Sequence, residues 1–172
     1  QYISHRVNSI NDLKLLNKNY GAEIDVRISN GKLILAHDPF QDGPSFVDWL
    51  KFYSHGLLIV NVKEEGLEPY VKDALNEYNI KNYFLLDQSI PFIIKYSNIM
   101  DNNVAVRFSE YETVETLLKF KNIAKWVWID CFTHYPLDKF SIDILQKNGF
   151  KTCVVSPELQ ARTDDKLVFE AA

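Results

Sequence analysis

The sequence predicts an α/β fold, a barrel of parallel strands alternating with helices, without its last strand-helix unit. Two observations carry that expectation. From Leu57 onward, short apolar runs recur a little over twenty residues apart, each followed by a stretch with helical spacing. That interval is the length of a strand-helix unit in a parallel sheet. The second observation is that polar residues gather just past the C-terminal ends of these runs, where such barrels carry their chemistry. A doubly wound open sheet is the alternative, but its glycine-rich phosphate loop is absent after the first strand.

Taken in order, residues 2–7 read as a short extended segment. Asn8 and Ser9 can cap the next helix, which carries Leu13 and Leu16 on one face and stops at Gly21. Residues 22–29 and 32–37 alternate apolar and polar on either side of Asn30-Gly31, the strongest short-range hairpin signal. Pro44 and Ser45 open a helix with Phe46, Trp49, Leu50 and Tyr53 at helical spacing, ended by Gly56. Residues 57–62 are an almost continuous apolar run, as expected of a strand covered on both faces. The following helix has Val71, Ala74, Leu75 and Tyr78 on one stripe. Strands at 83–86, 104–108, 126–129 and 151–155 then alternate with helices. These helices lie at 89–98, after the capping box Ser109 to Glu112, and at 137–148 before Gly149. The sum is about seven parallel strands, and a full barrel takes roughly 250 residues. Residues 156–172 are too few for another helix and strand. The expectation is therefore one barrel domain over 1–172, truncated at its C-terminus.

The hairpin places two carboxylates, Glu23 and Asp25, on one strand face, because residues i and i+2 share a side. A two-residue loop at Asn30-Gly31 would pair Ser29 with Lys32 and set His37 opposite Ile24, on the wrong face. A three-residue loop, 29–31, pairs Ile28 with Lys32 and brings His37 opposite Glu23. It also puts Gly31 in the left-handed loop position that favours glycine. The second register is the expected one.

Composition narrows the function classes. A net charge of -4 and no basic run with interleaved aromatics argue against nucleic-acid binding. The longest apolar runs are too short to cross a bilayer, so no stable membrane insertion is expected. Cys131 and Cys153 lie in apolar strand-like segments and read as buried free thiols of a reducing, cytoplasmic setting. Gln1 is not a natural start and leaves room for a removed leader.

The strand ends carry His5-Arg6, Glu23 and Asp25, Asn61 and Lys63, Asp87, Arg107 with Glu110, Asp130, and Glu158. Singly, acids at strand ends are often helix caps, and Asp87 and Asp130 can be only that. Jointly, histidines, acids, Arg and Lys on one rim are hard to produce by capping. Arg6 and Lys63 favour an anionic substrate, since phosphate suits an Arg fork and a Lys point charge. Clustered carboxylate oxygens suit a hard cation such as Mg²⁺ or Ca²⁺. His55, between a helix and Gly56, reads as a helix-dipole partner. His134 reads as loop surface, and Trp126 and Trp128 as one core face.

These motifs resemble those of the glycerophosphodiester phosphodiesterase family. The resemblance rests on His5-Arg6, Glu23-x-Asp25-Val26, Asn30-Gly31, His37-Asp38, the strand ending at Lys63, and Ser156-Pro157-Glu158-Leu159. That family belongs to the phospholipase-C-like phosphodiesterase superfamily of TIM barrels, so the resemblance implies metal-dependent hydrolysis of a small-molecule phosphodiester. It further implies His5 and His37 as general acid and base, Glu23 and Asp25 as metal ligands, and Arg6 and Lys63 as phosphate contacts. Asp38, Asp87, Arg107, Asp130 and Glu158 are rim candidates. The chain departs from the family pattern at Val7, where glycine is usual, and at 8–11, which replace a longer Pro-Glu-Asn-Thr-like segment. It departs again at Asn61, where the family has its third acidic ligand. An amide oxygen can ligate a hard cation but brings no charge, and Glu64 and Glu65 lie past the strand end. The alternative is therefore a catalytically silent barrel that binds a phosphorylated ligand.

Overall fold

The computed structural model describes residues 1–162, and the chain divides between Asn103 and Val104 into two compact units. The first contains β1 (Ile3–Ser4), α1 (Ile10–Leu15), β2 (Gly21–Ser29), β3 (Lys32–Leu35), α2 (Phe46–Leu50), β4 (Leu58–Val62), α3 (Glu68–Glu77), β5 (Tyr83–Leu86) and α4 (Ile90–Tyr96). Its sheet runs β1-β2-β4-β5, all parallel, with β3 antiparallel to β2. The second contains β6 (Ala105–Phe108), α5 (Val114–Leu118), β7 (Trp126–Ile129), α6 (Lys139–Lys147), β8 (Lys151–Val154) and a 3-10 turn, Pro157–Gln160. Its three strands are parallel in the order β6-β7-β8. The strand-helix alternation is the one read from the sequence. The expectation about a last unit turns on residues 163–172, which lie outside the described residues.

Burial explains the apolar runs. Every residue of β4 and of β5 is buried, so neither strand can afford an alternating pattern. Each fully buried Leu, Ile, Val or Phe there contributes roughly 1.5–3 kcal/mol. On β2, Ile24 and Val26 are fully buried on one face, while Glu23 and Asp25, both 1 % exposed, occupy the other. Burying two carboxylates side by side costs stability unless they are hydrogen-bonded or paired, so this face is where function is expected.

Four local expectations are corrected. The hairpin takes the two-residue loop, with Ser29 opposite Lys32 and Val26 opposite Leu35. Asn30 and Gly31 both have positive φ, 49° and 73°, the pair of left-handed residues whose twist matches a two-residue hairpin. His37 escapes the wrong face because β3 ends at Leu35 and the chain leaves the ladder before it. Gly21 does not stop α1, which ends at Leu15; it starts β2. A Cβ there would lie 2.3 Å from the Leu57 carbonyl oxygen, so close strand approach is what demands glycine. Glu112 does reach back to the Ser109 N–H at 2.7 Å, but α5 begins one turn later, capped by Thr113. Cys131 is buried as expected, whereas Cys153 is only half-buried; neither is in a disulfide.

Candidate active site

The site is a gap in strand pairing. β4 lies along one edge of β2, from Ala22 to Val26. Along the opposite edge, β1 pairs with Gly21 and Ala22, and β3 pairs with Val26 to Ser29. The stretch of that edge left between them is Glu23 to Asp25. Since β1 is parallel and β3 antiparallel to β2, both chains run into the gap from opposite directions as they leave their strands. His5-Arg6 follows β1, and His37-Asp38 follows β3. Two backbone bonds pin the incoming chains, Val7 N–H to the Glu23 carbonyl at 2.9 Å and Ala36 N–H to the Asp25 carbonyl at 3.0 Å.

Glu23 accepts from the Arg6 backbone N–H at 2.8 Å and from the Asn61 amide Nδ2 at 3.2 Å, and His5 Nε2 lies 3.7 Å away. Burial first, and the neighbouring Asp25 second, push its carboxyl up to about 7. Asp25 is gripped by Asn8, whose Nδ2 donates to Oδ2 at 2.8 Å, and Lys63 Nζ stands 3.1 Å from its Oδ1. The same ammonium reaches Asp87 Oδ2 at 3.4 Å. His5 is held below its ordinary pKa, chiefly by burial and then by the Arg6 charge. Arg6 has a left-handed backbone, φ 55°, a strain of about 1–3 kcal/mol that its bond to Glu23 helps hold.

The orientation of His37 follows from its partners. Arg6 Nη2 lies 2.6 Å from Nε2, and a guanidinium can only donate. Nε2 is therefore the acceptor, and Nδ1 carries the proton that it donates to Asp38 Oδ1 at 2.8 Å. That bond also holds the Asp38 carboxyl below its usual range. Arg27 completes the arrangement: Nε and Nη2 both donate to the His37 carbonyl, at 3.2 and 3.0 Å, and Nη1 to Glu64 Oε1 at 3.4 Å.

Thus His5, Arg6, Glu23, Asp25, His37, Asp38, Asn61, Lys63 and Asp87 come together within the first unit. Sequence reading missed Asn8 and Arg27. The helix cap expected at Asn8-Ser9 is Ser9 alone, which accepts from the Asp12 N–H. Arg27 stands two and four residues after the carboxylates on the same face, and that periodicity was the available signal. Glu64 pairs with Arg27 and not with the carboxylates, so it does not replace the missing acid. His55 bonds the Leu16 carbonyl at 3.2 Å, outside this cluster.

The second unit has its own polar cluster. Arg107 and the Trp128 indole (3.2 Å) both donate to the buried Asp130, and Gln160 adds a third bond at 3.3 Å. Trp128 is core, as read, while Trp126 is half-buried beneath Lys151. Glu110 accepts from the Thr133 and His134 backbone N–H groups, which hold its carboxyl down at about 2. Glu158 accepts from Ser156 in the 3-10 turn.

No family model matches this sequence, and no curated protein is similar to it in sequence. Solved structures do match. A glycerophosphodiester phosphodiesterase from Agrobacterium tumefaciens str. C58 superposes with a TM-score of 0.70 at 14 % identity, covering 99 % of this chain and 90 % of that one. The fold is the glycerophosphodiester phosphodiesterase fold. Another solved structure from that bacterium, assigned as a glycerophosphoryl diester phosphodiesterase, gives a TM-score of 0.70 at 10 % identity over 90 % of this chain and 83 % of that one. The α/β, TIM-barrel-like class expected from the sequence is the one observed.

The residues in the gap can be tested against a hard cation. Among the described residues, no three His, Cys, Asp or Glu side chains gather as ligands. What the phosphodiesterase fold presents here is two buried carboxylates and an amide. The Asn61 Oδ1 is buried without a hydrogen-bond partner, and burial, with Asp25 beside it, raises the Glu23 carboxyl to about 7. All-oxygen donors with an orphaned acceptor among them fit Mg²⁺ or Ca²⁺. The donor set carries less negative charge than three acids would.

Proposed function

We propose that this protein is a metal-dependent phosphoric diester hydrolase acting on a glycerophosphodiester or a related lipid-derived diester. The observation that carries the reading is the convergence of His5 and His37, from opposite directions, over the buried pair Glu23 and Asp25. The phosphodiesterase fold of the solved neighbours supports it.

The phosphate is received by Arg6 and Lys63, a fork and a point charge of the sign it needs. Arg6 stands on the Nε2 of His37 in the free protein. An entering phosphate draws the guanidinium to itself and releases that nitrogen for proton transfer. His5 and His37 then serve as proton donor and acceptor on the two sides of the phosphorus, one activating water and the other protonating the leaving alcohol. Asp38 fixes the His37 tautomer through the bond from Nδ1. Asp25 and Asp87 hold Lys63 in place. Glu23, Asp25 and the Asn61 oxygen are the groups that would hold Mg²⁺ or Ca²⁺. When bound, such a cation neutralises charge building on the phosphoryl oxygens.

The test is hydrolysis of bis(p-nitrophenyl) phosphate and of glycerophosphocholine with Mg²⁺, with Ca²⁺ and with EDTA. His5→Ala and His37→Ala should each lower the rate by about 10²- to 10⁴-fold. Turnover that neither change affects would sink the mechanism. A second reading, a silent barrel that binds a phosphorylated ligand, is favoured by Asn61 at the third ligand position. It predicts calorimetric binding of a phosphate ester with no cation-dependent turnover.

A further inference from the structure

Glu68, the first residue of α3, is fully buried, and the proposed chemistry does not use it. The helix dipole favours an acid at this position but does not require it to be buried. Hydrogen bonds from uncharged donors keep it there. Oε2 accepts from the Gly66 backbone N–H at 2.9 Å, and Oε1 accepts from the Gln88 side-chain amide at 3.2 Å. The first bond closes the turn before the helix, where Gly66 has φ 94°. The second leaves that turn and reaches the loop after β5. Since Glu68 Oε1 is the acceptor, Gln88 presents its nitrogen, and the Gln88 Oε1 is buried without a partner.

This tie falls where backbone pairing has stopped. β4 and β5 pair only as far as Asn61 and Leu86. Lys63 and Asp87 lie just past that point, with the ammonium 3.4 Å from Asp87 Oδ2 and 3.1 Å from Asp25 Oδ1. Asp87, next to Gln88, has a left-handed backbone, φ 66°, a conformation that its surroundings must hold. With Asp87 in place, two carboxylates share the ammonium. With Asp25 alone it would settle on Oδ1, an oxygen of the proposed cation site. We propose that Glu68 is a positioning residue for Lys63. Through Gln88 it joins the loop after β4 to the loop after β5, keeping Asp87 beside the ammonium and the ammonium turned toward the gap. The phosphate-binding role of Lys63 rests on the reading of the gap as the diester-cleaving site; the tie itself does not.

The experiment compares three variants of the full chain with the parent. Glu68→Met removes both bonds at nearly unchanged length, and Gln88→Met removes only the tie between the loops. Glu68→Gln keeps an oxygen for the Gly66 N–H and offers an N–H to the Gln88 Oε1 once that amide turns over, so it should restore the tie. In hydrolysis of bis(p-nitrophenyl) phosphate, both Met variants should raise KM about threefold to tenfold while kcat falls by less, and Glu68→Gln should match the parent. KM unchanged in Gln88→Met overturns the proposal, as does a Glu68→Gln variant as impaired as Glu68→Met. Those are the outcomes of a carboxylate needed only to build α3. If no diester is turned over, the function reading fails, and the tie is judged by ¹⁵N NMR of the Lys63 ammonium, assigned by its loss in Lys63→Arg. A resonance displaced in Gln88→Met and unmoved in Glu68→Gln upholds the positioning. One unmoved in Gln88→Met refutes it.

Discussion

Asn8 and Asp25 hold each other through two hydrogen bonds in a closed ring. The amide Nδ2 donates to Asp25 Oδ2 at 2.8 Å, and the Asp25 backbone N–H donates to Asn8 Oδ1 at 2.9 Å. The ring closes the open edge of β2 where no strand pairs, so a side chain there does the work of a missing ladder. It also commits Asp25 Oδ2, leaving Oδ1 as the oxygen that faces Lys63.

Asn8→Ala should therefore cost about 1–3 kcal/mol, because it strands a buried carboxylate oxygen and a backbone N–H together. Urea unfolding of the variant measures it. A loss well under 1 kcal/mol would mean that water takes over both bonds. Asn8→Asp should be worse still at neutral pH, since it sets a second carboxylate against Asp25.

Asn61→Asp supplies the charge that the donor set lacks. Cation affinity, read by calorimetry with Ca²⁺ and Mg²⁺, should rise at least about tenfold, since ligand charge tunes such sites over decades. Without cation the same variant should be less stable than the parent, because three buried carboxylates then repel. An affinity unchanged by the substitution would remove Asn61 from the ligand set.

Glu23 makes stability depend on pH in a direction unusual for a carboxylate. Its folded pKa, about 7, lies above its ordinary 4.5, so folding takes up a proton between those values. Its contribution is full below about pH 4.5 and is lost as pH rises through 7, by about 3 kcal/mol at 1.36 kcal/mol per unit. His5, held below its ordinary value, acts oppositely, losing stability as pH falls below 6.5. The informative comparison is accordingly parent against Glu23→Gln in EDTA, whose stabilities should diverge as pH rises. Parallel pH profiles would show that Glu23 ionises freely.

Asp38→Asn should lower kcat by about 10- to 100-fold with little change in KM. The loss is smaller than at a buried triad aspartate, because Asp38 is exposed to solvent. Arg27→Gln should act on the same histidine from behind, by releasing its carbonyl, and should also loosen Glu64. Stopped-flow turnover of bis(p-nitrophenyl) phosphate resolves both. Unchanged kcat in Asp38→Asn would show that the His37 tautomer is set elsewhere.

Much of this was legible in the chain. The strand-helix rhythm exposed the fold because buried parallel strands must be apolar throughout, as β4 and β5 are. Glu23 and Asp25 were legible as a pair because period two is enforced by the strand itself. The hairpin register differs from the expected one, which rested on Gly31 alone taking a left-handed loop position. In fact two left-handed residues, Asn30 and Gly31, decided the turn, and His37 lies beyond the strand. The roles of Asn8 and Arg27 were illegible for a related reason. Each acts on a partner many positions away, across an edge that only the strand order creates.

That same order has a consequence for how the chain behaves in company. β3 lies on the outer side of β2, and an unguarded outer strand offers its backbone to any other extended chain. Here the outward face is already taken: the Leu35 N–H donates to the Pro44 carbonyl at 2.9 Å, and Ile34 forms a lone antiparallel bridge with Ser45. The strand is four residues long and opens on a lysine. The arm that delivers His37 is thus also sealed against strand addition, and opening the 43–45 segment would make a sticky edge of the very element that carries the histidine.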